Sequence, residues 1–223
     1  MPVALVTGAS RGLGLALARA LAGQGWSLVL DARSADALRA HAPAGAALVP
    51  GDVSDPEHRQ ALRDAVAAHG HLDLLVNNAS HLGPSPQPAL RDYPLAELRR
   101  VYEVDVLAPL ALIQLLLPVL DRGTVVNVSS DAAVEAYEGW GGYGSAKAAL
   151  DHLTAVLAVE QPGLRVQAFD PGDMRTQLHQ EAFPGEDISD RPLPETVVPA
   201  FLRLLDLPGG RYRAADLLPV AAR

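Results

Sequence analysis

The sequence predicts an α/β fold in which helices pack on both faces of a doubly wound, seven-stranded, mostly parallel sheet. Seven short β-like runs alternate with helix-forming segments along the 223 residues, and this alternation is typical of a parallel sheet covered on both faces. Several of the runs, such as 3–6, are continuously apolar, as expected for strands buried on both sides. The length suits one large domain, so we expect residues 1–223 to fold as a single unit.

Composition argues against several classes of function. The formal net charge of −8 disfavours nucleic acid or an anionic membrane as the main partner. The chain has no Cys and its seven His residues show no ligand cluster, so we predict neither disulfides nor a metal site. The apolar stretch 104–120 contains Asp105 and Gln114, which favours a core or interface helix over a membrane span. The first strand begins at once, without a targeting segment, and we expect a cytoplasmic protein.

The predicted elements follow each other with short connections. Strands are predicted at 3–6, 26–30, 46–49, 72–76, 124–128, 164–169 and within 212–220. Helices are predicted at 15–22, 34–41, 56–69, 94–120, 141–160 and 195–207. Pro109 and Pro118 are expected to bend or shorten the fourth helix. Residues 177–194 are rich in acids and prolines, and we expect them to form a mobile flap that serves as a substrate lid.

A glycine-rich turn joins the first strand to the first helix. Its sequence is Thr7-Gly-Ala-Ser-Arg-Gly-Leu-Gly14. A strand, a glycine turn and a helix form the phosphate site of a Rossmann-type fold, because the helix N-terminus offers free N–H groups and the positive end of its dipole. Glycines at 8, 12 and 14 let the backbone approach a ligand without a Cβ in the way. The alternative is an ordinary turn between a strand and a helix.

A second motif, Tyr143-Gly-Ser-Ala-Lys147, carries the predicted chemistry. Tyr143 and Lys147 are four residues apart, so on a helix they share one face. A phenol has a pKa of about 10, and a nearby ammonium lowers that value. A tyrosine tuned in this way can exchange a proton with a carbonyl or alcohol oxygen. Ser130, at the end of the preceding strand, can hydrogen-bond the same oxygen. A Tyr–Lys pair is also common in ordinary surface packing, so context must decide.

The candidate motifs all lie at the same place relative to the predicted strands, and this placement is the context that decides. Each comes directly after a predicted strand: 7–14, 31–33, 52–53, 77–80, 130 and 170–176. Ligands of parallel sheets bind at the carboxyl ends of the strands. Unrelated motifs would be scattered along the chain, so their common placement indicates one ligand site.

These motifs, taken in order, resemble those of the short-chain dehydrogenase/reductase family over essentially the full chain. The matches are Thr7-Gly8-x3-Gly12-x-Gly14, Gly51-Asp52-Val53, Asn77-Asn78-Ala79, Ser130, Tyr143-x3-Lys147, and Pro171-Gly172 with Thr176. The resemblance implies an oxidoreductase that interconverts a carbonyl and an alcohol. In that reading Tyr143 is the general acid/base, Lys147 lowers its pKa and binds the nicotinamide ribose, and Ser130 polarises the substrate oxygen.

The resemblance also implies an NAD(P) site. The implied cofactor contacts are Gly8, Ser10, Arg11, Gly12, Leu13, Gly14, Arg33, Asp52, Val53, Asn78, Ala79, Tyr143, Lys147, Pro171, Gly172 and Thr176. Counting from the glycine turn places Ala32 where NAD-preferring members carry an acid, and Arg33 where NADP-preferring members often carry Arg. Arg33 and Arg11 would suit a 2′-phosphate, so NADP(H) is favoured over NAD(H). A shift of one residue would instead bring Asp31 towards the ribose.

Two residues depart from the family pattern. Asp105 stands where the family usually has Asn, in a proton relay behind the Lys, and we therefore count it with the catalytic residues. Its negative charge near Lys147 is expected to raise the pKa of Tyr143 and to reduce or shift activity. Ser80 replaces a usual Gly and is expected only to narrow the cofactor channel.

Three features of the function stay open at this level. The alternatives to a reductase are a cofactor-binding regulatory protein with weak or no turnover, and an epimerase or dehydratase of the same fold. The candidate pocket residues suggest a small or medium hydrophobic carbonyl compound: His81, Tyr137, Trp140, Met174, Leu178 and Phe183. Family members pair helices equivalent to 94–120 and 142–160 between subunits, so a homodimer or homotetramer is expected.

Overall fold

The computed structural model describes residues 1–120 and 122–218. Its sheet has seven strands in the order β3-β2-β1-β4-β5-β6-β7, and every neighbouring pair is parallel. The strands are β1 (Val3–Val6), β2 (Ser27–Ala32), β3 (Ala47–Pro50), β4 (Leu74–Asn77), β5 (Thr124–Val128), β6 (Arg165–Asp170) and β7 (Gly210–Arg213). The predicted Rossmann-type architecture is confirmed, and the sheet is wholly parallel.

Helices connect the strands and cover both faces. They are α1 (Gly12–Gly23), α2 (Ala35–His41), α3 (Pro56–Ala67), α4 (Leu95–Tyr102), α5 (Ala108–Leu116), α6 (Gly141–Glu160), α7 (Gln177–Ala182), α8 (Val198–Leu204) and α9 (Ala214–Leu217). The side chains of β1 alternate between two separate cores. Val6 packs with α1 and α8 on one face, and Leu5 packs with α3 and α5 on the other. Burial on both faces explains why the strands are apolar throughout.

The side of the sheet to which successive strands are added changes between β1 and β4. From β1 the strands β2 and β3 follow to one side, whereas β4 to β7 follow to the other. The connections therefore leave a crevice beside the carboxyl ends of β1 and β4, which is where open α/β sheets bind ligands.

The single helix predicted over 94–120 is divided. α4 is followed by a π-helical turn at Glu103–Leu107, then α5, then a 3₁₀ turn at Leu117–Val119. The reason is Pro109, because it has no N–H to donate to the carbonyl four residues back. Leu95–Val119 is apolar and long enough to cross a membrane by length and composition, but half of its most apolar window is buried in the fold. This degree of burial is typical of a core helix.

One sequence prediction is wrong in detail. The last strand was expected within 212–220, but β7 ends at Arg213 and the helix α9 follows. β7 pairs with β6 only as far as Asp170, where β6 ends, so no partner remains beyond that point. Residues 219 and 220 lie outside the described residues. In the segment 177–194, where the sequence predicts a lid, the first third forms α7.

Candidate active site

A cleft of about 690 Å³ lies at the carboxyl ends of the strands. The predicted site residues that line it are Gly8, Ser10, Arg11, Gly12, Leu13, Arg33, Asp52, Val53, Asn78, Ala79, Ser130, Tyr143, Lys147, Pro171, Gly172 and Thr176. Gly14 and Asp105 do not line the cleft and act from behind it. The sheet thus brings motifs from seven separate chain segments to one cavity.

The glycine turn is packed too tightly for side chains. Gly8 has φ +66°, and a Cβ there would lie 2.9 Å from the Cα of Ala79. A Cβ on Gly14 would lie 2.5 Å from the Gly8 carbonyl oxygen. Gly14 therefore lets α1 pack against the turn. Asn78 Nδ2 donates to the Thr7 carbonyl at 2.8 Å and holds the turn against β4.

The end of β2 presents Arg33 to the cleft. β2 ends at Ala32, and Arg33 is the first residue beyond it and is exposed. The Asp31 carboxyl is buried instead, with Oδ1 3.7 Å from Nε2 of His58 on α3. This burial raises the pKa of Asp31, although His58 opposes the shift. Both residues line the cleft, but Arg33 is exposed there whereas Asp31 is buried against His58, so Arg33 is the better placed to meet a ribose substituent.

Two more charged residues stand near this end. Arg11 is exposed at the lip of the glycine turn and donates to Gln177 Oε1 at the start of α7. Burial works to raise the pKa of Asp52, but two hydrogen bonds from Ser54 and the charges of Arg100 and Arg33 hold it below its usual value. Asp52 therefore carries its negative charge at neutral pH.

Tyr143 and Lys147 lie together at the other end of the cleft. Both are on α6 and both are buried, and the Lys147 ammonium lies 5.4 Å from the centroid of the Tyr143 ring. Lys147 Nζ donates to the Val128 carbonyl at the end of β5, at 2.9 Å. That bond fixes the ammonium beneath the ring and leaves the phenol facing the cleft with Ser130.

The pKa of Tyr143 runs against the expectation from sequence. Burial raises this pKa, and the Lys147 charge only partly offsets the effect. The expected lowering is therefore wrong as a net direction for this structure. Burial alone lowers the pKa of Lys147, but the carboxylates of Asp105 and Asp151, and Tyr143 in its phenolate form, together raise it. The lysine is thus held as a cation beside a phenol that keeps its proton.

Asp105 sits behind this pair in the π-helical turn. Its side chain is fully buried, Oδ1 accepts from the His81 N–H at 3.0 Å, and Lys147 Nζ is 4.0 Å away. Its other carboxyl oxygen has no hydrogen-bond partner among residues 1–120 and 122–218. Burial raises the pKa of Asp105, opposed chiefly by Lys147. The charge of Asp105 in turn helps to raise the pKa of Tyr143, in the expected direction.

Replacing Asp105 by Asn is expected to move the pH profile of alcohol oxidation to lower pH. In the mechanism that the family resemblance implies, oxidation needs Tyr143 without its proton, so we expect the rate to rise as pH passes the Tyr143 pKa. Asn removes a negative charge that raises that pKa. The measurement is kcat against pH for both proteins. An unchanged turnover and an unchanged profile would show that Asp105 does not influence the tyrosine.

Sequence reasoning gave too little weight to two residues. Ser80 does more than narrow a channel: its hydroxyl is buried without a well-formed hydrogen bond, and it lowers the pKa of both Asp105 and Tyr143. Asp131 was not singled out, although its carboxylate accepts the Ser130 hydroxyl at 2.9 Å. An acid directly beside a candidate catalytic serine was the available signal for it.

The predicted substrate-pocket residues divide into two layers. His81, Trp140, Met174 and Leu178 line the cleft. Tyr137 and Phe183 stand behind Trp140, with ring centroids 6.2 Å and 5.8 Å from it. Tyr137 and Phe183 therefore both pack against the Trp140 ring that lines the cleft.

Arg211 on β7 contacts three of the elements that carry the site. It donates to the Ser130 carbonyl at 2.9 Å and to the Asp151 carboxylate at 2.8 Å, and lies 3.4 Å from the Asp170 carboxylate. These contacts join the ends of β5 and β6 to α6. Arg211 thereby positions the backbone that carries Ser130.

Comparison with known proteins agrees with this geometry. The family model described as short chain dehydrogenase matches residues 2–187. Sepiapterin reductase from Rattus norvegicus is 36% identical over 81% of this chain and 77% of its own length. L-fucose dehydrogenase from Mus musculus is 33% identical over 80% of this chain and 67% of its own length. A short chain dehydrogenase from Escherichia coli CFT073, solved as a complex with NADPH, has a TM-score of 0.88 and 30% identity, and the match covers 96% of each chain. This chain belongs to the short-chain dehydrogenase family and is an oxidoreductase.

Proposed function

We propose that the protein is an NADP(H)-dependent oxidoreductase that interconverts a carbonyl and an alcohol. The observation that carries the proposal is the single cleft with the exposed Arg33 at one end and the buried Tyr143–Lys147 pair at the other. Because all three residues line one cleft, a molecule with a phosphorylated ribose at one end and a nicotinamide at the other could contact both ends. The structure solved with NADPH has the same fold along nearly its whole length.

The residues present fit NADP(H). Gly12 has no Cβ, so the backbone of the glycine turn stays open to a ligand on the side that faces Thr176. The N-terminus of α1 offers free N–H groups to a pyrophosphate. Arg11 and Arg33 can bind a 2′-phosphate through charge-assisted hydrogen bonds. When bound, the cofactor supplies or accepts the hydride.

The chain's own residues manage the proton and the position of the substrate. Tyr143 keeps its proton in the buried site and can give it to the carbonyl oxygen as hydride arrives. We expect reduction as the working direction because the expected cofactor is NADPH. Lys147 stabilises the phenolate that results. Ser130 can hold the same oxygen, once its hydroxyl is released from Asp131. Asp105 sets how strongly the phenol holds its proton.

Substituting Ala for Arg33 is expected to weaken NADPH binding and to leave NADH binding unchanged. Each hydrogen bond to a charged group contributes about 1.5–3 kcal/mol, so NADPH affinity should fall by about 10- to 100-fold. The measurement is a fluorescence titration with each nucleotide. Arg39→Ala is the matched control, because Arg39 is an exposed arginine on α2 that does not line the cleft. Equal loss for both nucleotides would place the 2′-phosphate elsewhere.

The direct test of the proposal is NADPH oxidation with a panel of carbonyl compounds. Sepiapterin belongs in the panel, and L-fucose with NADP⁺ in the reverse direction, because relatives carry those names. Turnover of any member that yields the alcohol supports the proposal. NADPH binding without turnover of any of them would favour the regulatory alternative.

The proposal includes three further expectations from the sequence, which concern the location, the oligomeric state and the lid. We propose that the protein is a cytoplasmic homo-oligomer. Exposed Val156 and Val159 on α6 and Leu107 at the π-helical turn offer apolar surface for a second copy. We also propose that residues 177–194, with α7 and the Gln177 contact to Arg11, close over the bound substrate.

A further inference from the structure

The substrate end of the cleft carries one carboxylate in an unusual place. Asp131 lines the cleft directly after the candidate catalytic serine, and its Oδ1 accepts the Ser130 hydroxyl at 2.9 Å. Its Oδ2 accepts the Tyr137 hydroxyl at 3.0 Å. The carboxylate is therefore held in one orientation, within one hydrogen bond of the group that would contact a substrate oxygen.

This carboxylate has no cationic partner in the part of the chain that the structure describes. Two other carboxylates that line the cleft do have one: Asp52 lies 3.6 Å from Arg100, and Asp170 lies 3.4 Å from Arg211. No Lys, Arg or His nitrogen among residues 1–120 and 122–218 lies within 4.0 Å of the Asp131 carboxylate. An anion that is oriented and unpaired in a half-buried cleft favours a cationic ligand.

The wall beside Asp131 suits the same ligand. The Trp140 ring lies in the cleft with its centroid 5.9 Å from that of Tyr143, and Tyr137 packs against it at 6.2 Å. Aromatic faces attract ammonium groups within about 6 Å of the ring centroid. A carboxylate together with aromatic rings is a recognition set for an alkylammonium group.

We propose that Asp131 is a specificity-determining residue and that the substrate carries a cationic amine two or three bonds from its reacting carbonyl. The inference rests on the proposed function and narrows its substrate class. The amine meets Asp131 and Trp140, and the carbonyl oxygen then lies beside Ser130 and Tyr143. The proposal adds a cationic group to the small or medium hydrophobic carbonyl compound that the sequence suggests.

The same contact also prepares the serine. In the structure the Ser130 hydroxyl proton is directed to Asp131, so it is not offered to a substrate oxygen. An ammonium that binds Asp131 competes for that carboxylate oxygen. The hydroxyl can then rotate and donate to the carbonyl oxygen. A cationic substrate therefore gains in turnover as well as in affinity.

The test compares two ketones of nearly equal shape. 3-(Dimethylamino)-1-phenylpropan-1-one is protonated at neutral pH, and 4-methyl-1-phenylpentan-1-one replaces its nitrogen by a CH group. Binding of each to the protein with NADP⁺ is followed by fluorescence, since Trp140 is one of only two tryptophans. Reduction of each by NADPH is followed separately. The proteins are the unaltered chain, Asp131→Asn, and Glu135→Gln, which removes a neighbouring exposed charge outside the cleft.

The amine should bind at least about tenfold more tightly than its neutral analogue, a conservative value for one partly screened ion pair. That preference should be lost in Asp131→Asn and kept in Glu135→Gln. Equal affinities in the unaltered protein, or binding of neither ketone, would overturn the proposal and leave the oxidoreductase function intact. Selective amine binding without reduction of either ketone would support Asp131 as the amine site but count against the proposed function.

Discussion

Replacing Tyr143 by Phe should lower kcat/KM for carbonyl reduction by about 10²- to 10⁴-fold, the usual contribution of a general acid. Phe keeps the aromatic ring, whose centroid lies 5.9 Å from that of Trp140 and 5.4 Å from the Lys147 ammonium. It removes only the hydroxyl to which we assign the proton transfer. NADPH binding should therefore change little. The measurement is steady-state kinetics together with a nucleotide titration of the variant.

The control for this variant is Tyr102→Phe. Tyr102 ends α4 and does not line the cleft, so its hydroxyl should not affect turnover. An active Tyr143→Phe enzyme, with kcat/KM within a few fold of the original, would remove the tyrosine from the proton transfer. Ser130 or Asp105 would then have to supply the proton.

Replacing Lys147 by Met should destabilise the fold and slow the reaction. Removing one partner of a buried ion pair costs about 3–5 kcal/mol, because the other charge stays buried. Here the remaining charge is Asp105, which is fully buried and 4.0 Å from the lost ammonium. The Tyr143 pKa loses its main lowering influence and rises further. The measurements are urea unfolding and the pH profile of alcohol oxidation, which should shift to higher pH.

The comparison that isolates the pair is the same substitution in an Asp105→Asn background. Met should cost much less stability there, because no uncompensated carboxylate remains. In Lys147→Met alone, stability should fall as pH rises above the ordinary Asp pKa of about 3.9, because the folded state holds the Asp105 proton more tightly than the unfolded state does. An equal cost in both backgrounds would show that the two groups are not coupled.

The fold was predictable because its determinants are local. The apolar run at 3–6, the glycine turn after it and the following helix former each specify one element, and their repetition specifies a parallel sheet. The errors arose where tertiary pairing decides. β7 ends at Arg213 because β6 offers no further partner, and no pattern in the sequence of residues 212–220 reports the length of a neighbouring strand.

The site was predictable as a set of positions but not as a set of charges. Residues after consecutive parallel strands must meet at one edge of the sheet, so Ser130 and Tyr143 were expected near the glycine turn. The sign of the Tyr143 pKa shift depends on how deeply the phenol is buried, which spacing along a helix does not show. Likewise, the hydrogen bond between Ser130 and Asp131 depends on side-chain orientation after the strand.

The measurement that tests the account most directly is a parallel titration of the unaltered protein with NADPH and NADH. The account predicts that NADPH binds at least about tenfold more tightly, because one or more charge-assisted bonds from Arg11 and Arg33 reach only the 2′-phosphate. Equal or tighter binding of NADH would mean that these arginines do not bind the 2′-phosphate. Binding of neither nucleotide would contradict the assignment of the cleft as a cofactor site.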